Sequence, residues 1–249
     1  MTLRLEVDGP VARLLLDRPD KRNAITQGMW DAFPGLIAEA VTSPTRVILL
    51  ASVTPGMFCA GADIGEFGAG ARDEQWLASN QAAINRTQHD LTRAAKPTIA
   101  FVDGDCIGGG CGLALACDLR VATLRARFGI TPAKLGLVYP LHDTKLLVDL
   151  VGPANAKRLL YTGMLVDAGE ALRIGLIDMI ADTPDDLVAQ ILAQSGHSQR
   201  QTKAMIRRVL DGQSADDDAT RAIFAEAFAS ADFAEGVEAF LTKRKADFK

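Results

Sequence analysis

TIAFVDGDCIGGGCGLALACDLRVAT, running from Thr98 to Thr123, is the stretch whose reading decides the fold. Thr98–Val102 is a short β-branched and apolar run closed by glycine, the pattern of a buried strand. Gly108-Gly109-Gly110 then turns the chain straight into Cys111–Cys117, a brief and almost wholly apolar helix. Asp118–Thr123 resumes as a strand. A strand, a glycine turn, a buried helix and a second strand predict an α/β domain with helices covering its sheet.

The flanks extend the same alternation. Leu3–Val7 and Val11–Asp17 read as two strands joined by a Gly9-Pro10 turn. Gln27–Val41 has helical spacing and stops at Ser43-Pro44, and Arg46–Ala51 is a continuous apolar run. Ser52–Phe67 is rich in glycine, proline and small residues, and Gly68–Arg72 reads as a mobile surface loop. Asp73–Ala95 is a long helix ended by Lys96-Pro97. From Pro153 onward the pattern is helical: Ala154–Tyr161, Asp167–Ile174, Asp185–Gln194, Gln199–Leu210, Asp217–Ala229 and Phe233–Lys245. The expected organisation is an α/β core over 1–195 and a helical region over 196–249.

Composition narrows the function classes. Hydrophobic residues make up 48% and charged residues 23% of the 249, the balance of a folded globular chain. A net charge of -4 weighs against nucleic acid or an anionic membrane as partner, since neither is held without a basic patch. MTLRLEVDGP alternates apolar and polar residues and carries two acids, unlike a secretory leader. No apolar run reaches the length of a membrane span, so a cytoplasmic chain is expected. Cys59, Cys106, Cys111 and Cys117 include no C-x-x-C pair, and the histidines are only His89, His142 and His197. No metal site is expected from them, and the thiols read as reduced core residues.

Two segments have the makings of a site. A helix start leaves backbone N–H groups without intrahelical partners, and glycines let an oxygen approach them closely. The order Gly108, Gly109, Gly110, Gly112 fits neither G-x-G-x-x-G nor G-x-x-x-x-G-K-[ST], so a nucleotide-phosphate loop is not indicated. A tight turn with no ligand reads the same residues equally well. The second segment is Phe58-Cys59-Ala60-Gly61-Ala62-Asp63-Ile64, small residues following a strand. A dinucleotide-dependent dehydrogenase would need glycines after the first strand pair, where Arg18-Pro19 stands instead.

Together these blocks carry a family resemblance. Asp17-Arg18-Pro19-Asp20-Lys21-Arg22-Asn23-Ala24, Phe58–Ile64, Gly104 with Gly108–Cys111, and Asp118–Ala122 resemble the successive signature blocks of the crotonase (enoyl-CoA hydratase/isomerase) superfamily. Leu135-Gly136, Ala171–Ile177 and Glu235–Lys245 continue the likeness to the end of the chain. The resemblance implies a crotonase-like spiral of ββα units with a helical C-terminal trimerisation region. It implies a homotrimer, or a hexamer as a dimer of trimers. The substrate it implies is an acyl-CoA, with coenzyme A as part of the thioester and no tightly bound cofactor. By motif position the Ala62 and Gly109 backbone N–H groups would form an oxyanion hole for the thioester carbonyl. Ala24, Ala60, Asp63 and Ile64 would line the CoA site, while Lys21, Arg22 and Lys243 from a neighbouring subunit are candidates for its phosphates, with ordinary solvated charge as the competing reading.

The likeness fails where proton transfer should occur. Similar hydratases use two glutamates, and the matching positions here are Gly112 and Pro132, neither able to move a proton. Tyr139 is the first substitute, with His142 and Asp143 behind it. The expected activity is therefore that of an acyl-CoA enzyme working through a thioester enolate, as lyase or isomerase. A decarboxylase or thioester hydrolase on a malonyl-type acyl-CoA, and a non-catalytic acyl-CoA-binding protein, are the alternatives. Trp30 and Trp76 read as packing residues, Glu66 as a solvated loop carboxylate, and Asp216-Asp217-Asp218 as a helix start.

Overall fold

The computed structural model describes residues 2–248. β1 (Leu3–Asp8) and β2 (Val11–Leu16) pair antiparallel, Leu3 opposite Leu16, and α1 (Gln27–Thr42) follows them. From there the chain repeats one unit. β3 (Val47–Ser52) and β4 (Met57–Cys59) lead into α2 (Ile64–Gly70) and α3 (Glu74–Arg93). β5 (Thr98–Val102) and β6 (Asp105–Ile107) lead into α4 (Gly109–Leu115). β7 (Leu119–Ala122) and β8 (Arg127–Gly129) lead into α5 (Leu141–Thr162). β9 (Leu165–Asp167), α6 (Ala168–Arg173) and β10 (Met179–Ile180) complete the α/β part.

In each repeat the first strand joins one sheet and the second joins another. Among the described residues the larger sheet has the order β1-β2-β3-β5-β7-β10 and the smaller β4-β6-β8-β9. Outside the β1–β2 hairpin and the β8–β9 pair the strands run parallel. Each return to a parallel neighbour requires a crossover, which the helices supply. The result is the spiral of ββα units. Strands buried on both faces need continuous apolar sequence, which VILLAS and TIAFV provide. Leu14, Leu16, Ile48, Leu50, Ala100 and Val102 meet Trp30 and Phe33 of α1 in one core. Burying each large apolar side chain there contributes about 1.5–3 kcal/mol.

The chain divides into two compact units: residues up to Ala94 with Thr98–Pro184, and Ala95–Pro97 with Asp185 onward. The second unit contains α7 (Asp185–Leu192), α8 (Gly196–Leu210), α9 (Asp218–Ala227) and α10 (Ala231–Thr242). The division expected at 195 falls on Ser195, the N-cap of α8 within this unit.

Two expectations need correction, and five short strands escape the sequence pattern. Gly68–Arg72 is not wholly a loop, because α2 runs through Gly70. The Trp76 ring lies against Gly70, where a Cβ would come within 2.3 Å of it, and Phe67 meets the same ring edge-on at 5.7 Å. The strands β4, β6, β8, β9 and β10 have two or three residues each, too few to show alternation in sequence. Finally, α5 begins at Leu141, and the Gly152-Pro153 signal marks a break inside it, with Gly152 at φ 72.

Candidate active site

β4 and β6 are hydrogen-bonded parallel neighbours, so the segments leaving their C-terminal ends emerge side by side. One is Ala60–Asp63 and the other is Gly108-Gly109, opening α4. Ile25 pairs with the first in parallel fashion: its N–H donates to Gly61 O at 2.8 Å, and Asp63 N–H donates to Ile25 O at 3.0 Å. That pattern turns the intervening Ala62 N–H to the opposite side. Among the described residues, Ala62 N–H donates to no backbone carbonyl. Gly109, the first residue of α4, likewise has no backbone acceptor for its own N–H among the described residues.

The two segments approach as closely as glycine permits. Gly61 has φ +98, and a Cβ on it would lie 2.9 Å from Ile107 O and 3.5 Å from Gly109 N. A Cβ on Gly109 would lie 3.7 Å from Ala62 N. The arrangement therefore brings Ala62 and Gly109 together, 47 residues apart in sequence.

Polar anchors behind the loop hold it there. Arg18 Nη1 donates to Asp63 Oδ2 at 2.7 Å and to Ala24 O at 2.9 Å. The Arg18 guanidinium also holds the Asp63 carboxyl below the usual range. Asp63 Oδ1 caps α2 through the Gly65 and Glu66 amides. Asn23, fully buried at φ 55, donates to Phe58 O at 2.9 Å and to Ser52 Oγ at 2.8 Å. Ala60 N–H donates to Arg22 O at 2.9 Å. Asp63 is thus committed to the scaffold through its side chain. Burial pushes the Cys59 thiol up to about 12, so it stays neutral beside the Gly61 amide.

One turn along α4 from Gly109 lies Gly112. Gly112 is fully enclosed: a Cβ there would come within 2.5 Å of Gln88 Nε2 and 3.1 Å of Asp143 Oδ1. Gln88 Nε2 donates to Asp143 Oδ1 at 2.6 Å, and Asp143 is only 4% exposed. Burial raises the Asp143 carboxyl above its ordinary range against the opposing pull of the Gln88 hydrogen bond and the His142 charge. The Tyr139 hydroxyl is buried and makes no hydrogen bond of ordinary geometry, yet it lies near enough for the Asp143 charge to help raise its pKa further after burial itself. His142 is half-buried in the first turn of α5. Asp143 therefore stands beside Gly112, with Tyr139 and His142 near enough to act on its carboxyl.

Pro132 opens a 3-10 turn, Pro132–Leu135, and is half-buried. Lys21, Arg22 and Ile64 are exposed near the Ala60–Asp63 loop, while Ala24 and Ala60 are half-buried. Lys243 caps α10 in the second unit and is exposed. Glu66 is a correction: its Oε2 accepts the Gln27 amide of α1 at 2.7 Å instead of standing in solvent. Trp30 is buried at 1% exposure against Phe33, as packing requires. Asp217 caps α9 in a reciprocal pair with Thr220. Among the described residues no cluster suits a metal ion, and no helix is long and apolar enough to cross a membrane.

Gln88 lies outside every block that marks the site in sequence. It sits on the face of α3 that buries Asn80, Ala83, Thr87 and Leu91, so a polar residue inside a buried helical stripe is the available signal.

Comparison with known proteins gives a consistent result. The family model described as enoyl-CoA hydratase/isomerase matches residues 6–249. A crotonyl-CoA hydratase of Syntrophomonas wolfei is 33% identical, covering 98% of this chain and 96% of its own length. A short-chain-enoyl-CoA hydratase of Clostridium acetobutylicum is 31% identical, covering 97% and 95%. The solved structure of an enoyl-CoA hydratase/isomerase family protein from Hyphomonas neptunium superposes with a TM-score of 0.96 at 41% identity, covering 100% and 98%.

Proposed function

The chain belongs to the enoyl-CoA hydratase/isomerase family, and from that premise we propose that it binds an acyl-CoA thioester with the carbonyl oxygen between the Ala62 and Gly109 amides. The family acts on CoA thioesters, so the open matter is how this member treats one. The observation carrying the proposal is the approach of two backbone N–H groups with no backbone acceptor, at the ends of adjacent parallel strands. Negative charge that develops on a thioester oxygen when its α-carbon becomes an enolate would be met by both donors. Each well-aimed donor is worth about 3 kcal/mol in the transition state. Ala24, Ala60, Asp63 and Ile64 would shape the CoA site largely through backbone, which suits an Asp63 side chain already paired with Arg18. Lys21, Arg22 and a neighbouring subunit's Lys243 would meet the phosphates.

The second unit supports a trimeric or hexameric assembly. Phe224, Phe240 and Leu241 are 68%, 84% and 73% exposed around an apolar groove, an unusual amount of aromatic surface to leave in water.

Hydration or isomerisation is favoured over decarboxylation or hydrolysis of a malonyl-type substrate by the buried carboxyl of Asp143. A substrate carboxylate entering beside it would face a like charge in a dry setting. Incubation with crotonyl-CoA and with methylmalonyl-CoA, followed by mass spectrometry, tests this. Conversion of the first and not the second is expected. Decarboxylation of the second would reverse the preference, and tight CoA binding with no conversion across a thioester panel would leave only a binding protein.

A further inference from the structure

Resting on that reading, we infer that Asp143, held by Gln88, is the group that takes the α-proton of the bound thioester and returns it. Gly109 and Gly112 lie three residues apart on one face of α4, which puts their Cβ positions about 5–6 Å from each other. The thioester oxygen is assigned to the first. The Asp143 carboxyl abuts the second, 3.1 Å from where a Cβ would stand. The carboxyl thus stands about one helical turn from the assigned oxygen, on the side where the carbon next to the carbonyl would lie. Glycine at 112 is what makes room for it. A glutamate at this position would collide with Gln88 and Asp143, so acid group and empty position are two sides of one arrangement.

The two carboxyl oxygens have different tasks. Oδ1 accepts the Gln88 amide hydrogen at 2.6 Å, which fixes the carboxyl plane, while Oδ2 is buried with no hydrogen bond of ordinary geometry among the described residues. The Tyr139 hydroxyl is the polar side-chain group that bears on the carboxyl next after Gln88 and His142. A buried acceptor left unpaired in a folded core costs stability, and such a cost is characteristic of a group kept for a ligand. In the step assigned here, Oδ2 takes the α-proton and the C–H electron pair becomes the carbon–carbon double bond of the enolate. The carbonyl π pair moves onto the oxygen between Ala62 and Gly109. The same carboxyl then gives its proton, or one exchanged from solvent, back to carbon. Electrons and atoms balance without any oxidant or further reactant. Gln88 is a positioning residue, acting only through Asp143.

The titratable groups bearing on Asp143 are His142 on α5 and Tyr139 just before it, with Cys106 and Cys111 facing Tyr139 in turn. Gln88 on α3 and Gly112 on α4 are neutral. Because burial raises the Asp143 carboxyl, its basic form gains population only above the ordinary carboxylate range. The exchange rate is then expected to climb with pH there and level off. Gln88→Leu removes a bond that favours the ionised form, so the rise must move to higher pH.

The test is solvent deuterium exchange into the α-carbon of butyryl-CoA, followed by proton NMR, beside calorimetric binding of the same thioester. The wild-type protein is expected to bind and exchange. Asp143→Asn is expected to lose exchange by about 10²–10⁴-fold while binding stays within about threefold. Gln88→Leu is expected to shift the pH profile upward, which a merely structural role would not do. Exchange in Asp143→Asn near the wild-type rate, or a wild type that binds without exchanging, overturns the assignment and leaves the thioester site standing. A wild type that does not bind butyryl-CoA or CoA removes both. Should Asp143→Asn fail to fold, an unshifted profile in Gln88→Leu still overturns the inference.

Discussion

At Gly109, half-buried beside Trp30, α4 begins as bare backbone, whereas one turn on, at Gly112, it is roofed by side chains from α3 and α5. The first position depends on topology. Two adjacent parallel strands end together, and the amides that follow need only be left without acceptors. The second depends on residues brought from 24 positions upstream and 31 downstream, at Gln88 and Asp143. Backbone donors tolerate change in almost any side chain near them. A proton carrier is tied to one side chain and to whatever holds it. The contrast teaches that the two halves of one site answer to different substitutions.

The largest effect should come from deleting a main-chain donor. Gly109→Pro removes the N–H at the first helical position, where proline's backbone geometry is acceptable, at the cost of a small shift of Trp30, whose Cζ2 lies 3.2 Å from the Cβ position. Acyl-CoA turnover is expected to fall by about 10²–10³-fold with the fold retained, read by steady-state kinetics and circular dichroism. Unchanged turnover would break the comparison at its backbone end.

Next comes crowding at the other position. Gly112→Ala places a methyl 2.5 Å from Gln88 Nε2 and should cost about 1–3 kcal/mol in denaturant unfolding. Shortening Gln88 to Ala in the same chain should return part of that cost, a coupling on the order of 1 kcal/mol. Strict additivity would mean that the two residues do not share the space.

The smallest effect is one of sign. Burial raises the Asp143 carboxyl, so between the ordinary carboxylate range and its folded value the native state holds a proton that the unfolded chain does not. Stability therefore falls as pH rises through that window. Asp143→Asn abolishes the charge and should melt higher above the window, by about 2–4 °C for a gain near 1 kcal/mol. Lower melting at every pH would make the carboxyl a structural asset instead.

Legibility in the sequence follows the same contrast. Continuous apolar runs such as Val47–Ser52 and Thr98–Val102 mark the parallel sheet, because double burial leaves no polar positions to confuse the pattern. The glycines at 61 and 108–110 mark the close approach of backbone. The short strands of the second sheet are invisible, since three residues show no period. Gly112 reads as a lost acid but not as a space filled by others, because Gln88 belongs to a helix whose polar residues otherwise look solvent-facing. Glu66 misleads for a related reason. Its partner, the Gln27 amide, lies 39 residues away.

The central claim concerns the carbonyl oxygen. The infrared band of butyryl-CoA labelled with ¹³C at its carbonyl, measured free and bound, reports how strongly that oxygen is polarised. A band displaced to lower frequency on binding, and largely restored in Gly109→Pro, is the predicted result. A bound carbonyl with the same frequency as in water would contradict it.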